Sequence, residues 1–235
     1  MRALLLAAGL GTRLRPLTER IPKCLVVVRG KPLLAYWLDL LLANCIERVL
    51  VNTHHLPEAV RRFGADSPWR ERITFVHEER LLGTGGTVLR NRDFFHGRAF
   101  LVAHADNLTR FDVQSFIRRH QRRPAGILIT MMTFRTETPQ NCGIVETDER
   151  GVITAFHEKI ANPPGDRANA AVYIFEPEVV DFLAGLGQEV IDLSTEVIPA
   201  FIGRICTFHN SDYHRDIGTV ESLRRAEVEF NPDST

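Results

Sequence analysis

The chain has 235 residues with 29 Lys and Arg against 29 Asp and Glu, so no global field draws it to nucleic acid or to an anionic membrane. Its 44% hydrophobic and 25% charged content is that of a globular protein able to bury the core of one large α/β domain or two small ones. No apolar run approaches the roughly 18 residues of a membrane span, and nothing at the N-terminus reads as a leader. Four scattered cysteines without a C-x-x-C pair offer neither a zinc site nor a disulfide framework, so a reducing, cytoplasmic setting is expected.

Apolar runs and helical patterns alternate through the first part of the chain. Strands are expected at Ala3–Ala8, Arg48–Asn52, Thr74–His77, Ala99–Ala103 and Ile127–Phe134. Helices are expected between them at Leu33–Cys45, Pro57–Phe63, Thr87–Arg92 and Val113–Arg122. This βαβα succession predicts an α/β fold with a doubly wound, mostly parallel, mixed sheet of Rossmann-like type. Ligands bind such sheets at the carboxyl ends of the strands.

After about Pro139 the pattern changes. Gly143–Thr147, the turn Asp148–Gly151 and Val152–Glu158 read as a small β-hairpin subregion. A strand at Ala168–Phe175, helices near Pro177–Leu183 and Ser194–Phe201, a strand at Arg204–Phe208 and a last helix at Val220–Glu229 follow. Asn231–Thr235 reads as a frayed tail. With no internal repeat or low-complexity linker, a single domain over 1–235 is expected, divided into halves at 1–135 and 136–230.

The first strand runs into Ala8-Gly9-Leu10-Gly11-Thr12-Arg13, and Pro22-Lys23 follows. Glycines there let consecutive N–H groups line one concavity around an anion, while Arg13 offers a planar fork and Lys23 a point charge. These features suit a polyphosphate. Two better-known phosphate loops are absent. The third glycine of G-x-G-x-x-G is replaced by Leu14, and there is no G-x-x-x-x-G-K-[S/T].

Two carboxylates stand out on the same logic. Asp106 follows an apolar run at the expected carboxyl end of a strand, where it could hold a divalent cation beside a triphosphate or simply cap a helix. Asp216 precedes the last helix, for which Thr219 is the better-placed cap. The basic run Arg118–Arg123 reads as a solvated helix end, without the interleaved aromatics of a nucleic-acid site. His54-His55 has no Cys or Asp at metal-ligand spacing.

The string Leu-Ala-Ala-Gly-Leu-Gly-Thr-Arg-Leu-Arg-Pro-Leu-Thr, with Pro22-Lys23-Cys24-Leu25-Val26, resembles the signature of the sugar-1-phosphate nucleotidylyltransferases. Further likenesses follow in the family's order across nearly the whole chain, from Leu4 to Thr219. Leu82–Gly86 resembles a nucleotide loop. Phe156-His157-Glu158-Lys159 and Asn169–Phe175 resemble sugar-phosphate segments, with Ile160 and Ala171 where proline and glycine are usual. Asp106 follows Ala105 where the family has glycine. The left-handed β-helix that larger relatives append is not expected.

The resemblance implies an enzyme joining a nucleoside triphosphate to a sugar 1-phosphate, with Mg²⁺ as cofactor. It assigns Ala8, Gly9, Gly11, Thr12, Arg13, Lys23, Gly83 and Thr84 to the nucleotide, and Gly143, Glu158, Lys159 and Asn169 to the sugar phosphate. Arg13, Lys23, Asp106 and Asp216 would be catalytic, the two Asp holding the metal. Leu82–Gly86 leans toward guanylyl transfer to mannose or heptose 1-phosphate. Uridylyl or thymidylyl transfer to another hexose 1-phosphate, and a catalytically silent regulatory relative, stay open, as does a homo-oligomeric state. Neither nucleic acid nor membrane is expected as a partner.

Overall fold

The computed structural model describes residues 1–231. In chain order the elements are β1 (Arg2–Leu6), β2 (Val27–Val28), β3 (Lys31–Pro32), α1 (Leu33–Leu42), β4 (Val49–Thr53), α2 (Pro57–Ala65), β5 (Ile73–His77), α3 (Gly83–Arg90), β6 (Phe100–His104) and β7 (Asn107–Arg110). They continue with α4 (Val113–Gln121), β8 (Ile129–Arg135), β9 (Gly143–Thr147), β10 (Ile153–Glu158), β11 (Arg167–Phe175), α5 (Pro177–Gly185), a π turn at Leu193–Val197, α6 (Ile198–Ala200), β12 (Ile205–His209), β13 (Tyr213–Asp216) and α7 (Val220–Glu229). The chain divides into two compact units, each discontinuous in sequence. The Rossmann-like α/β class read from the sequence holds, and the described residues contain no β-helix.

One unit comprises Ala3–Leu81, His104–Phe111 and Asp212 onward. Its parallel strands β1, β4 and β5 pair in register, Ala3 with Val49 and Val49 with Ile73. β1 is apolar throughout Ala3–Leu6 because every one of those side chains is buried, as a strand covered on both faces requires. Pairing stops at Leu6, and the Ala7 N–H donates instead to Asn52 Oδ1 at 2.7 Å. A second cluster gathers Leu14, Val26, Val28, Leu33, Leu108, Ile217, Ala226 and Phe230. It lies under a two-stranded antiparallel ladder, β7 with β13, which pairs Asn107 with Asp216.

The other unit comprises Met1–Arg2, Leu82–Ala103 and Asp112–Ser211. β11 runs antiparallel to β6, β8 and β9, while β12 lies parallel to β8. β9 and β10 form the expected hairpin, with Gly143 opposite Glu158.

The expected helices and strands are present, with shifted ends. Two of the differences have physical causes. α3 begins at Gly83 instead of Thr87, because its glycines pack against another backbone. The helix expected at Ser194–Phe201 becomes a π turn followed by three α residues, since Pro199 cannot donate and its ring crowds the preceding turn. The β7–β13 ladder was not expected at all. Of the expected tail, Asn231 is described, its carbonyl accepting from Arg110 at 2.6 Å, and Pro232–Thr235 lie outside the described residues.

His120 on α4 is a buried polar member of the second unit. Its Nδ1 lies 2.7 Å from Thr130 Oγ1 and its Nε2 2.9 Å from Glu176 Oε1. Burial, joined by the charge of Arg123, pushes its pKa from 6.5 down to about 4, against the opposing pull of Glu176. Below pH 6.5 the unfolded chain therefore takes up a proton that the folded chain refuses, so stability rises with pH between about 4 and 6.5. The slope from this group is up to about 1.4 kcal/mol per pH unit. Urea midpoints across that range should fall toward acid, and His120→Gln should flatten the dependence. A variant with an unchanged slope would show that His120 does not cause it.

Candidate active site

The loop after β1 is shaped by contacts to its own downstream chain. Gly11 has φ +61°, and a Cβ there would lie 2.8 Å from Thr18 Cγ2 and 3.1 Å from Lys23 Cβ. Only glycine fits. The Thr18 hydroxyl donates to the Gly11 carbonyl at 2.7 Å, closing the loop. Leu14, in the place of a third glycine, is buried in the cluster beneath, whereas Gly9, Thr12 and Arg13 stay exposed. Ala8, still buried, leads into this exposed stretch.

Lys23 projects from a short 3₁₀ turn into a polar centre. Its Nζ lies 2.6 Å from Asp106 Oδ2 and 3.3 Å from Asp216 Oδ1. Arg13 Nη2 stands 3.4 Å from the other Asp216 oxygen. Lys23 is 8% exposed and Asp106 26%, while Asp216 at 52% and Arg13 at 66% face solvent. Asp106 sits in the turn between β6 and β7, and Asp216 ends β13. The ladder that pairs Asn107 with Asp216 brings both carboxylates to one end, and the Ile217 N–H reaches the Asp106 carbonyl at 3.3 Å. Asp106 caps no helix. Asp112 caps α4, and Thr219 caps α7 through a reciprocal pair with Ser222.

The electrostatics follow from this packing. Burial alone would lower the Lys23 pKa, but the charges of Asp106 and Asp216 and its hydrogen bonds to them reverse that and raise it above 10.5. Burial likewise works to raise Asp106, and Lys23, with help from His104, overcomes it and holds the carboxyl below 3.8. Burial pushes His214 down to about 3, so this neighbour of the centre stays neutral.

Two carboxylates aimed at one cationic point suit a divalent ion. The described residues contain no cluster of three or more His, Cys, Asp or Glu that could hold a metal. An ion bound here would need further oxygens from elsewhere, the pattern Mg²⁺ adopts with one or two carboxylates and phosphate. Mg²⁺ therefore fits the donor set.

Sequence reasoning missed a polar pair beneath the loop. Asn52 and Glu78, at the carboxyl ends of β4 and β5, are almost wholly buried. Asn52 Nδ2 donates to Glu78 Oε1 at 2.9 Å while its oxygen accepts from Ala7. The available signal was a polar residue closing the apolar run Val49-Leu50-Val51. Gly218 was missed too. A Cβ there would lie 2.6 Å from both Arg13 Nη2 and Asp216 Oδ2, so its bareness leaves room for the ion pair.

The remaining expected site residues lie in the other unit. Gly143 faces Glu158 across the hairpin, and a Cβ on it would strike the Phe156 ring at 2.5 Å and Glu158 Oε2 at 2.6 Å. Lys159 has φ +50° and pairs with Glu158 at 2.9 Å. Asn169 stitches a bulge in β11. Its Oδ1 accepts from the Ala171 N–H at 2.9 Å, its Nδ2 donates to the Tyr173 hydroxyl at 2.7 Å, and Ala171 has φ +53°. The glycine usual at position 171 is thus explained by a left-handed backbone that alanine here adopts under strain. Gly83 and Thr84 open α3.

The model of the nucleotidyl transferase family matches residues 2–231, and the chain belongs to that family. It is 34% identical over 97% of its length to a mannose-1-phosphate guanylyltransferase of Mycobacterium tuberculosis. It is 32% identical over 96% of its length to a UTP–glucose-1-phosphate uridylyltransferase of Synechocystis. The chain spans 64% and 62% of the lengths of these two relatives. A putative glucose-1-phosphate thymidylyltransferase structure from Bacillus anthracis matches with TM-score 0.88 at 20% identity, covering 100% of this chain and 98% of that one. HddC from Yersinia pseudotuberculosis, complexed with GMP-PN, matches with TM-score 0.80 at 21% identity, covering 98% and 99%. At these identities the structural matches speak for the fold.

Removing the cation should expose what it neutralises. Lys23→Met leaves Asp106 and Asp216 facing each other and should cost about 1–3 kcal/mol of stability, with Asp106→Asn in the same chain restoring part of it. Lys23 holds the Asp106 pKa down and burial would raise it once Lys23 is gone, so the difference from wild type should vanish as pH falls through the wild-type folded value and grow as pH rises past 3.8 toward neutrality. Denaturation midpoints read this. A Lys23→Met protein as stable as wild type at pH 7 would deny that the pair is coupled.

Proposed function

We propose that the protein is a sugar-1-phosphate nucleotidylyltransferase, most readily a guanylyltransferase acting on mannose or heptose 1-phosphate. The observation that carries the reading is the convergence of Asp106, Asp216 and Lys23 on one point, with Arg13 beside it and the glycine loop following β1. In this reaction a sugar-phosphate oxygen attacks the α-phosphorus, a new O–P bond forms, the bond to the β-phosphate oxygen breaks, and pyrophosphate leaves. The attacking group is already an anion, so no general base is needed. What the protein must supply is placement and compensation of negative charge.

Gly9, Gly11 and Thr12 would present the loop backbone to the triphosphate and Arg13 its guanidinium. Lys23 would donate to the α-phosphate through its third N–H, the other two being directed at the carboxylates. Asp106 and Asp216 would hold Mg²⁺, which when bound neutralises phosphate oxygens. Gly83 and Thr84 would meet the base. Gly143, Glu158, Lys159 and Asn169 would meet the sugar phosphate, with Lys159 on the phosphate itself. None of these roles calls for a membrane, and no helix among the described residues is long and apolar enough to cross one.

The choice of GTP leans on Leu82–Gly86 and on the likeness to the mannose-1-phosphate guanylyltransferase of M. tuberculosis. Relatives named for UTP and for thymidylyl transfer, each 32% identical, support the second reading, a different nucleotide with another hexose 1-phosphate. A panel of nucleoside triphosphates against sugar 1-phosphates, scored by pyrophosphate release, decides between them. GTP should give the highest kcat/KM by a margin on the order of 1–3 kcal/mol. A tenfold advantage for UTP or dTTP would favour the second reading, and no pyrophosphate with any pair would sink both.

Within the active pair, Asp106→Asn and Asp216→Asn should each slow turnover by roughly 10²–10⁴-fold. The double variant should be scarcely slower than the poorer single one, as for residues acting together. Near-normal turnover by Asp216→Asn would leave Asp106 acting alone.

A further inference from the structure

The start of α3 is sewn to a segment about a hundred residues downstream. The N–H groups of Gly85 and Gly86 both donate to the Ile191 carbonyl, at 2.8 and 3.3 Å, and the Ile191 N–H donates back to the Leu82 carbonyl at 3.0 Å. The contact admits no side chains. A Cβ on Gly83 would lie 2.4 Å from the Ile191 oxygen, and one on Gly86 would lie 2.3 Å from the Glu189 oxygen. These glycines are therefore required by backbone packing, whatever else they do.

Thr84 fastens the same seam with its side chain. Its Oγ1 accepts from the Leu193 N–H at 2.7 Å and donates to Asp192 Oδ2 at 3.4 Å. Asp192 is itself held. Its Oδ1 accepts from the N–H groups of Ser194 and Thr195 at 2.9 and 3.0 Å, and its own N–H donates to Glu196 Oε2 at 2.7 Å. Asp192 thus caps the π turn at Leu193–Val197 and, in the same stroke, holds the Leu193 amide against Thr84.

The opening turn of a helix has four backbone donors with no partner inside the helix. In α3 the N–H groups of Gly85, one of these, and of Gly86 in the next position are both committed to Ile191. Backbone recognition at this loop thus falls to Gly83 and Thr84, and the direction of their N–H groups is set by the seam. We infer that Asp192 is a positioning residue for the nucleotide, acting through Leu193 and Thr84 on the loop that meets the base. The inference rests on the reading of Leu82–Gly86 as the nucleotide loop. It moves the Thr84 hydroxyl from contact with the ligand to support of the loop backbone.

The test is steady-state kinetics with GTP and mannose 1-phosphate, each varied at saturating partner. Thr84→Val, which keeps the shape and removes the acceptor, should raise KM for GTP about 3- to 10-fold, the effect of one hydrogen bond. Asp192→Ala should do the same, with kcat and KM for the sugar 1-phosphate changed less than about twofold. Thr84→Ser and Asp192→Asn keep the acceptor and the cap, so both should return toward wild type. Two groups on one seam should not add, so Thr84→Val with Asp192→Ala should match the worse single variant.

Additive effects would overturn the inference, since Thr84 would then touch the nucleotide itself. Equal losses in every kinetic constant with a lowered melting temperature, unrelieved by Asp192→Asn, would reduce Asp192 to a structural cap. A shift confined to KM for the sugar 1-phosphate would instead overturn the nucleotide-loop reading and leave the seam standing. No shift in either KM, in folded protein, would overturn the seam's role outright.

Discussion

The Lys23 ammonium, held between two carboxylates, is the interaction on which the candidate centre depends. Asp106 could not sit there cheaply without it. Asp106 is largely withdrawn from water and faces a second acid, so it stays ionised below its usual range only because a cation lies 2.6 Å away. Lys23, in turn, is a buried ammonium that keeps its charge because two acids surround it. The cost of placing all three together is that the ammonium cannot be removed without leaving two carboxylates uncompensated. Such a centre is ready for charge exchange, since any dication binding the two acids competes for the oxygens that the ammonium now holds.

The scaffold that makes this possible is the short ladder β7–β13. It fixes Asp106 relative to Asp216 by main-chain pairing, and it is pinned from outside its own strands. The indole N–H of Trp37 on α1 donates to the Asn107 carbonyl at 2.8 Å, and the Thr109 hydroxyl donates to the Tyr213 carbonyl at 3.0 Å. Leu14, Leu108 and Ile217 share one buried cluster below. Leu14 follows the loop residues Thr12 and Arg13, and Leu108 and Ile217 flank the two acids, so packing of apolar side chains sets the positions of the polar ones. Arg13 projects outward into solvent, which fits the role proposed for it.

Much of this was legible in the sequence. The apolar run from Ala3 was readable as a buried strand because both faces are covered, though it was expected to reach Ala8 and ends at Leu6, and the hairpin at 143–158 because its turn residues Asp148–Gly151 sit between two strand-forming runs. Asp106 and Asp216 could be picked out as acids beside strand and helix ends. Their approach was implied only by the family resemblance, because it is produced by two four-residue strands, Asn107–Arg110 and Tyr213–Asp216, whose polar sequences carry no period and whose pairing is long-range. The glycines of Leu82–Gly86 suggested a ligand loop. That they are also dictated by the carbonyls of Glu189 and Ile191 depends on a contact that no local pattern encodes. The Asn52–Glu78 pair was hidden for a similar reason, each half being one polar residue at the end of an apolar run.

The most direct measurement of the central claim is Mn²⁺ binding followed by electron paramagnetic resonance, in place of Mg²⁺ and without substrates. If Asp106 and Asp216 form one cation site for which Lys23 is the resident counter-ion, wild type should bind Mn²⁺ weakly. Asp106→Asn and Asp216→Asn should each abolish the binding, and Lys23→Met should tighten it at least about tenfold, as expected for relief of a competing charge. Unchanged or weaker binding by Lys23→Met, or full binding after loss of either acid, would contradict a shared centre.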